Sequence, residues 1–165
     1  MATNKREQIL GQLVTILQGV PGFVNVWRDR DAGAPRDPTT QDPLLPAAIV
    51  LDGKVIPEVA AKWVMDFTTG TQKLSPGLYS LQPQVWIVLM PRETIENINV
   101  GSELSDFEQK VIKAVTTDET LIGILGMNGK IEYRGNETDM QSGSSLEGQM
   151  KVDFAFTYVM NPADL

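Results

Sequence analysis

Gly148-Gln149-Met150-Lys151-Val152-Asp153-Phe154-Ala155-Phe156-Thr157-Tyr158-Val159-Met160 is the stretch whose reading decides the fold. Met150, Val152, Phe154, Phe156, Tyr158 and Met160 alternate without a break against Gln149, Lys151, Asp153, Ala155, Thr157 and Val159. That period of two defines a strand with one buried face. At about 3.3 Å per residue it runs roughly 40 Å, about twice the usual strand length, so it extends past the core it helps to build. The cover for its apolar face has to come from earlier in the chain.

Working outward, the nearest cover is helical. Val100 to Val115 sets Leu104, Phe107, Val111, Ile112 and Val115 at helical spacing, with Ser102 or Ser105 as the cap and Glu108 matching Ser105. Glu103, Asp106 and Glu108 come early and Lys110 and Lys113 late, an order that complements the helix dipole and reads these charges as helix-end chemistry. Thr117 caps a second, short helix through Leu121, Ile122, Ile124 and Leu125, stopped by Gly126. Gly129 to Arg134 reads as a strand, and Gly135 to Glu147 as a loop rich in Gly, Ser and acidic residues. At the start of the chain, Asn4 with Glu7 opens an amphipathic helix of about four turns, with Ile9, Leu10, Leu13, Ile16 and Leu17 on one face before Gly19 and Pro21.

Between these helices lie further strands and two more loops. Phe23 to Arg28 alternates weakly and predicts a first strand. Ala47 to Leu51 is an apolar run closed by the turn dipeptide Asp52-Gly53, with Lys54 to Ile56 returning as the other half of a hairpin before Pro57. Ala60 to Phe67 fits a strand or a helical turn, and the alternation of Trp63, Met65 and Phe67 favours the strand. Leu78 to Met90 is apolar on both faces in its second half, as an interior strand is, while Pro83 places its first half at an edge or bulge, beyond the ladder. Asp29 to Pro46, with Pro35, Pro38, Pro43 and Pro46 set among charges, admits no helix or central strand. Thr68 to Gly77 is a second polar loop. Such loops are either tolerated insertions, since closure entropy grows slowly with length, or functional; their recurrence favours partner contact.

The predicted core is Leu13, Ile16, Leu17, Ile49, Ile87, Leu89, Phe107, Ile112, Phe154, Phe156 and Tyr158. The predicted fold is α/β in the α+β sense: a mixed, mostly antiparallel β-sheet with two or three helices packed on one face and long projecting loops and hairpins. With neither repeat nor linker, the 165 residues read as one domain, 1–165.

Composition narrows the function. Lys and Arg number 14 against 21 Asp and Glu, a net charge of −7, which offers no basic footprint for holding phosphates and disfavours tight nucleic-acid binding. The absence of Cys removes disulfides, thiolate nucleophiles and sulfur metal sites, while the redox compartment stays open. A polar start and a longest apolar run of only Val85 to Met90 predict neither a signal peptide nor a membrane span.

The absence of His removes imidazole bases, Ser-His-Asp and Cys-His systems and the commonest metal ligand. No Ser has a Lys three positions on, and no G-x-S-x-G occurs. Gly123, Gly126 and Gly129 match neither a dinucleotide fingerprint nor a P-loop, and read as a helix stop plus a turn. Asp29 with Asp31, or Glu103 with Asp106, supply oxygen ligands without completing a cation loop. Trp27, Trp63 and Trp86 read as core or interface anchors before a cofactor box. The expectation is no catalytic residue, no cofactor and no metal.

The order of elements resembles a family, the tail terminator or tail-completion (minor tail) proteins of long-tailed bacteriophages. The likeness rests on the opening helix Arg6 to Leu13, then Val24-Asn25-Val26-Trp27-Arg28 and the Pro-rich loop, then Leu45 to Gly53. It continues through the strand ending in Val85-Trp86-Ile87-Val88-Leu89, the helix Leu104 to Val115 with Asp118-Glu119-Thr120-Leu121, and Phe154 to Tyr158 with its Asn161-Pro162 tail. The resemblance implies a homo-oligomeric, usually hexameric ring with no enzymatic activity. Such a ring caps the tail tube, ending tail polymerisation, and offers a surface to the head-tail connector protein. DNA passes through it without specific binding. It implies assembly in the host cytoplasm and a place in the virion at the head-proximal end of the tail. A head-tail connector or neck protein is the alternative of the same assembly class. The loops then supply candidate contacts to neighbouring subunits and to the tail tube protein: Asp29, Arg30, Asp31, Arg36, Asp37, Gln72, Lys73, Glu137, Asp139 and Leu146.

Overall fold

The computed structural model describes residues 4–28, 46–89, 100–140 and 148–161, with the backbone alone at 100, 101, 139, 140 and 148. Chain order is α1 (Lys5–Gln18), β1 (Asn25–Arg28), β2 (Ala47–Val59), β3 (Lys62–Asp66), β4 (Thr71–Ser75), β5 (Gly77–Val88), α2 (Val100–Thr116), α3 (Glu119–Leu125), β6 (Lys130–Met140) and β7 (Gly148–Met160). Five strands form a mixed sheet in the order β1-β2-β5-β7-β6, and β3 with β4 form a separate two-stranded ribbon. Only the β1 to β2 pairing is parallel; β2–β5, β5–β7 and β6–β7 are antiparallel. The fold is α+β, as the residue pattern predicts.

β7 spans the same 13 residues its alternation marks out. It is interior, with Val85↔Val152 on the β5 side and Asn136↔Val152 on the β6 side. Phe154 and Phe156 are fully buried and stack at 6.0 Å between centroids. They join Leu81, Val85 and Ile87 of β5 and Ala48 and Val50 of β2 beneath Ile9, Leu10, Leu13 and Leu17 of α1, Leu104, Val111 and Val115 of α2, and Leu121 and Leu125 of α3. The helices therefore share one face of the sheet. On the other face Ala47, Ile49 and Val88 form a smaller cluster with Trp27, Leu51 and Trp86.

Helix ends follow local chemistry. Asn4 Oδ1 accepts the Glu7 N–H at 3.3 Å and starts α1. The cap of α3 is Asp118, whose Oδ2 accepts the Leu121 N–H at 2.8 Å. Thr117 instead donates its hydroxyl back to Lys113 O at 2.6 Å, so it belongs to the end of α2. Ser102 and Ser105 both lie inside α2, which begins at Val100, so neither caps it.

Several expectations are corrected. Asp52-Gly53 does not turn the chain: β2 runs on to Val59, and the register shift between Leu51 and Lys54 makes the dipeptide a β-bulge. Pairing of Lys54–Val59 with the distant Leu78–Gln82 overrides the local turn preference. Thr68 to Gly77 is not a loop; a turn at 67–70 leads into β4, and Gly77 already begins β5. Thr71-Gln72-Lys73 is exposed on both faces, so burial leaves no alternation to read. Pro83 does sit at a bulge, opposite Asp52-Gly53 where its missing N–H costs no ladder bond, but the first half of its strand is not beyond the ladder: Leu78–Gln82 pair with β2 and Gly77–Leu81 with β7. Gly135 does not open a loop, because β6 continues through a bulge there to Met140, with Gly135 at φ 110°. Within the predicted core, Ile49 belongs to the opposite face. Phe107 and Ile112 are only partly buried, Phe107 stacking on Phe23 at 4.8 Å.

Candidate assembly surface

β2 is too long for the body it helps to build. The first four residues of β2 are buried, and every residue from Gly53 to Val59 is exposed. Beyond Val59↔Leu78 the two chains stay paired as β3 and β4, from Lys62↔Ser75 to Asp66↔Thr71. The result is a β-arm, β3 to β4, that runs on past the last β5–β7 pair, Gly77↔Met160, and whose two strands pack chiefly on each other.

Two glycines shape the arm. Gly53 has φ 68°, and a Cβ there would lie 1.9 Å from Gln82 O, so only glycine fits the bulge at the root. At the break between the two ribbons, a Cβ on Gly77 would lie 2.6 Å from both Ala61 N and Val59 O. The Tyr79 hydroxyl accepts the Ala61 N–H at 3.1 Å across the same break. The tip is closed by Asp66, whose Oδ1 accepts the Thr68 N–H at 2.9 Å and whose carbonyl accepts the Gly70 N–H at 2.8 Å. The Thr68 N–H, with Lys73 nearby, holds the Asp66 carboxyl below its ordinary range.

The root is clamped by charge. Arg28, the last residue of β1, donates Nε to Asp52 Oδ1 and Nη2 to Asp52 Oδ2, each at 2.8 Å. It also donates Nη1 and Nη2 to the two Glu7 oxygens at 2.9 Å. Arg6 adds a longer pair to Asp52 at 3.4 Å. This bidentate geometry ties α1, β1 and the β2 bulge together. Hydrogen bonding to Arg28 lowers the Glu7 pKa, and the same contacts raise that of Arg28.

Exposed apolar residues concentrate on this arm. Trp63 is 66% exposed and Phe67 92%, with Val55, Ile56, Val59 and Met65 also in solvent. Trp63 stands opposite Leu74 and Met65 opposite Gln72 in the ribbon, so one face carries Trp63, Met65 and Leu74. A lone two-stranded ribbon has no second layer on which to bury such a face.

Of the sequence-predicted contact residues, Gln72 and Lys73 lie on β4 of the arm, Lys73 Nζ reaching Asp66 at 3.8 Å. Glu137 and Asp139 lie in β6 opposite Lys151 and Gln149, toward the end of the sheet away from the arm, with Glu137 pairing Lys151 at 3.3 Å. The structure therefore separates these two groups. Asp29, Arg30, Asp31, Arg36, Asp37 and Leu146 lie outside the described residues, as does the candidate pair Asp29 and Asp31. Asp106 of the other candidate pair bonds Lys110 at 3.0 Å. Among the described residues no group of three Asp or Glu is placed to hold a metal ion, and no helix is long and apolar enough to cross a membrane. An open groove at the arm's root is lined by Gly53, Lys54, Pro83, Arg134 and Asp153 and offers polar contact. The residues missed were Met65 and Phe67, although their alternation with Trp63 was visible. Compared with known proteins, the chain matches no family model and no curated protein.

Proposed function

We propose that this chain is a structural subunit of a long-tailed bacteriophage. In this reading it is a tail terminator that assembles into a ring, caps the finished tail tube and presents a surface to the head connector. The observation that carries the reading is the β-arm, which leaves the body and holds Trp63, Met65 and Phe67 in solvent. Large apolar side chains in that setting mark a surface completed by assembly. The mixed sheet with helices on one face is also the fold that the resemblance to tail terminators implies. In this role the protein acts by shape and contact and has no catalytic function.

The net charge of −7 suits a channel through which DNA slides without sticking. Salt-dependent submicromolar binding of duplex DNA by the purified protein would contradict that part of the reading. The role itself is tested by electron microscopy of the assembled protein and by antibody labelling of virions. Closed rings with an open centre, and label at the junction of tail and head, are expected. Label confined to the head vertex after tails detach would favour the connector; label on neither part would end the reading.

A further inference from the structure

The open strand edges of the molecule differ in how well they are protected. Among the described residues β3 pairs with β4 alone, so its outer backbone edge has no partner. β6 also ends its sheet with an open edge, but Lys130, Glu132, Arg134 and Glu137 line it and a bulge at Gly135 breaks it, devices that keep an edge from pairing. β3 carries neither device in its centre. It runs Lys62-Trp63-Val64-Met65-Asp66 in unbroken register with β4 and holds Trp63 at 66% and Met65 at 47% exposure.

The sequence of β3 is complementary to its own reverse. Set antiparallel to a second copy about a twofold axis through Val64, it brings Lys62 opposite Asp66, Trp63 opposite Met65 and Val64 opposite Val64. Residues 62, 64 and 66 share one face and 63 and 65 the other. The charge pairs and the Trp–Met pairs therefore fall on separate faces, and opposed pairs of both kinds stabilise a sheet. Other registers lose this match. A slip of one residue sets the apolar face of one copy beside the charged face of the other, and a slip of two puts Lys62 or Asp66 opposite Val64. The edge of β4 is not self-complementary in this way, because a twofold axis through its centre opposes Lys73 to Lys73, a destabilising like-charge pair. Asp66 is already oriented: its Oδ1 accepts the Thr68 N–H at 2.9 Å, while Lys73 lies only loosely against Oδ2 at 3.8 Å.

We infer that β3 of one copy pairs antiparallel with β3 of a second, in the register centred on Val64, so that two arms make one four-stranded sheet. The cover that the arm lacks is then another arm: Trp63 of each copy packs on Met65 of the other, with Leu74 on the same face. The contact is isologous and closes at two copies. It goes beyond the ring reading, which needs head-to-tail contacts, and stands on the arm alone.

The test uses a chain without native cysteine. Full-length Val64→Cys and Gln72→Cys proteins are oxidised side by side. Directly opposed residues of an antiparallel pair lie about 4.5–5.5 Å apart at Cα, within disulfide reach, whereas position 72 on β4 is three strand spacings, about 14 Å, from its copy. The Val64→Cys dimer should form at least tenfold faster. Charge exchange then tests the register in native mass spectra: Lys62→Asp should weaken the dimer at least tenfold, and mixing it with Asp66→Lys should restore a heterodimer, since each Asp again meets a Lys. Where Asp66→Lys disturbs the tip turn, the loss in Lys62→Asp alone decides. Equal oxidation rates at 64 and 72, a Lys62→Asp chain that dimerises as well as the wild type, a folded Asp66→Lys chain that fails to rescue it, or a wild type monomeric at every concentration overturns the inference. Rings without 64-to-64 links overturn it and leave the ring reading intact. Such links in a protein absent from virions uphold it and overturn the phage reading.

Discussion

The body and the arm are written in the same sequence pattern and have opposite fates. In β7, Val152, Phe154 and Phe156 alternate with polar or small residues and are fully buried. In β3, Trp63, Met65 and then Phe67 alternate with Val64 and Asp66, and all three are exposed. The difference lies in the neighbours. β7 has a strand on each side and helices above it, whereas β3 has only β4. Alternation fixes the backbone and the face; the cover must come from elsewhere, and Trp63, Met65 and Phe67 stay in solvent because β3 packs chiefly on β4.

The contrast breaks most visibly in the core. Phe156→Ala should cost about 3–5 kcal/mol in denaturant titration, since it removes a fully buried ring from the central strand. An equally stable variant would show that β7 does not hold the body together. At the junction of the two regions, Gly53→Ala forces a Cβ against Gln82 O and a positive φ on an L residue. The expected cost is about 1–3 kcal/mol, read as a shift of the same unfolding midpoint.

The clamp at the root gives a smaller, pH-dependent effect. Glu7 has its pKa lowered by Arg28, so its contribution is present above the ordinary carboxylate value and is lost as pH falls through the lower folded value. Glu7→Gln should therefore lower stability at neutral pH and flatten the loss of stability below about pH 5. An acid limb unchanged in the variant would mean the ion pair contributes nothing. The smallest effect is expected at the tip: Phe67→Ser should alter the unfolding free energy by no more than about 0.5 kcal/mol, because the side chain is 92% exposed.

The regularities legible in the residues were those enforced locally. The bounds of β7, the Asn4 cap of α1 and the helical faces with Leu13, Leu104 and Leu121 follow from period and capping alone. The arm was hidden because its cause is distant. Asp52-Gly53 is a turn by local preference and a bulge only because β5 lies alongside, and Thr71 to Ser75 is a strand only because β3 pairs with it. Pro83 marked the bulge but not the pairing around it: its tolerance in a central strand depends on Asp52-Gly53 of the distant β2 opposite. Trp63 was legible as an anchor, but whether it anchors core or interface depends on cover that the linear sequence does not display.

The central claim is that the arm is made for a second copy of the chain. The direct measurement is native mass spectrometry over a concentration series, comparing the wild type with a Trp63→Ser/Phe67→Ser double variant whose melting transition is recorded alongside. The account expects the wild type to pass from monomer to one discrete oligomer, and the variant to remain monomeric with its melting transition unchanged. A wild type that stays monomeric throughout, or a variant that assembles as readily as the wild type, would contradict it.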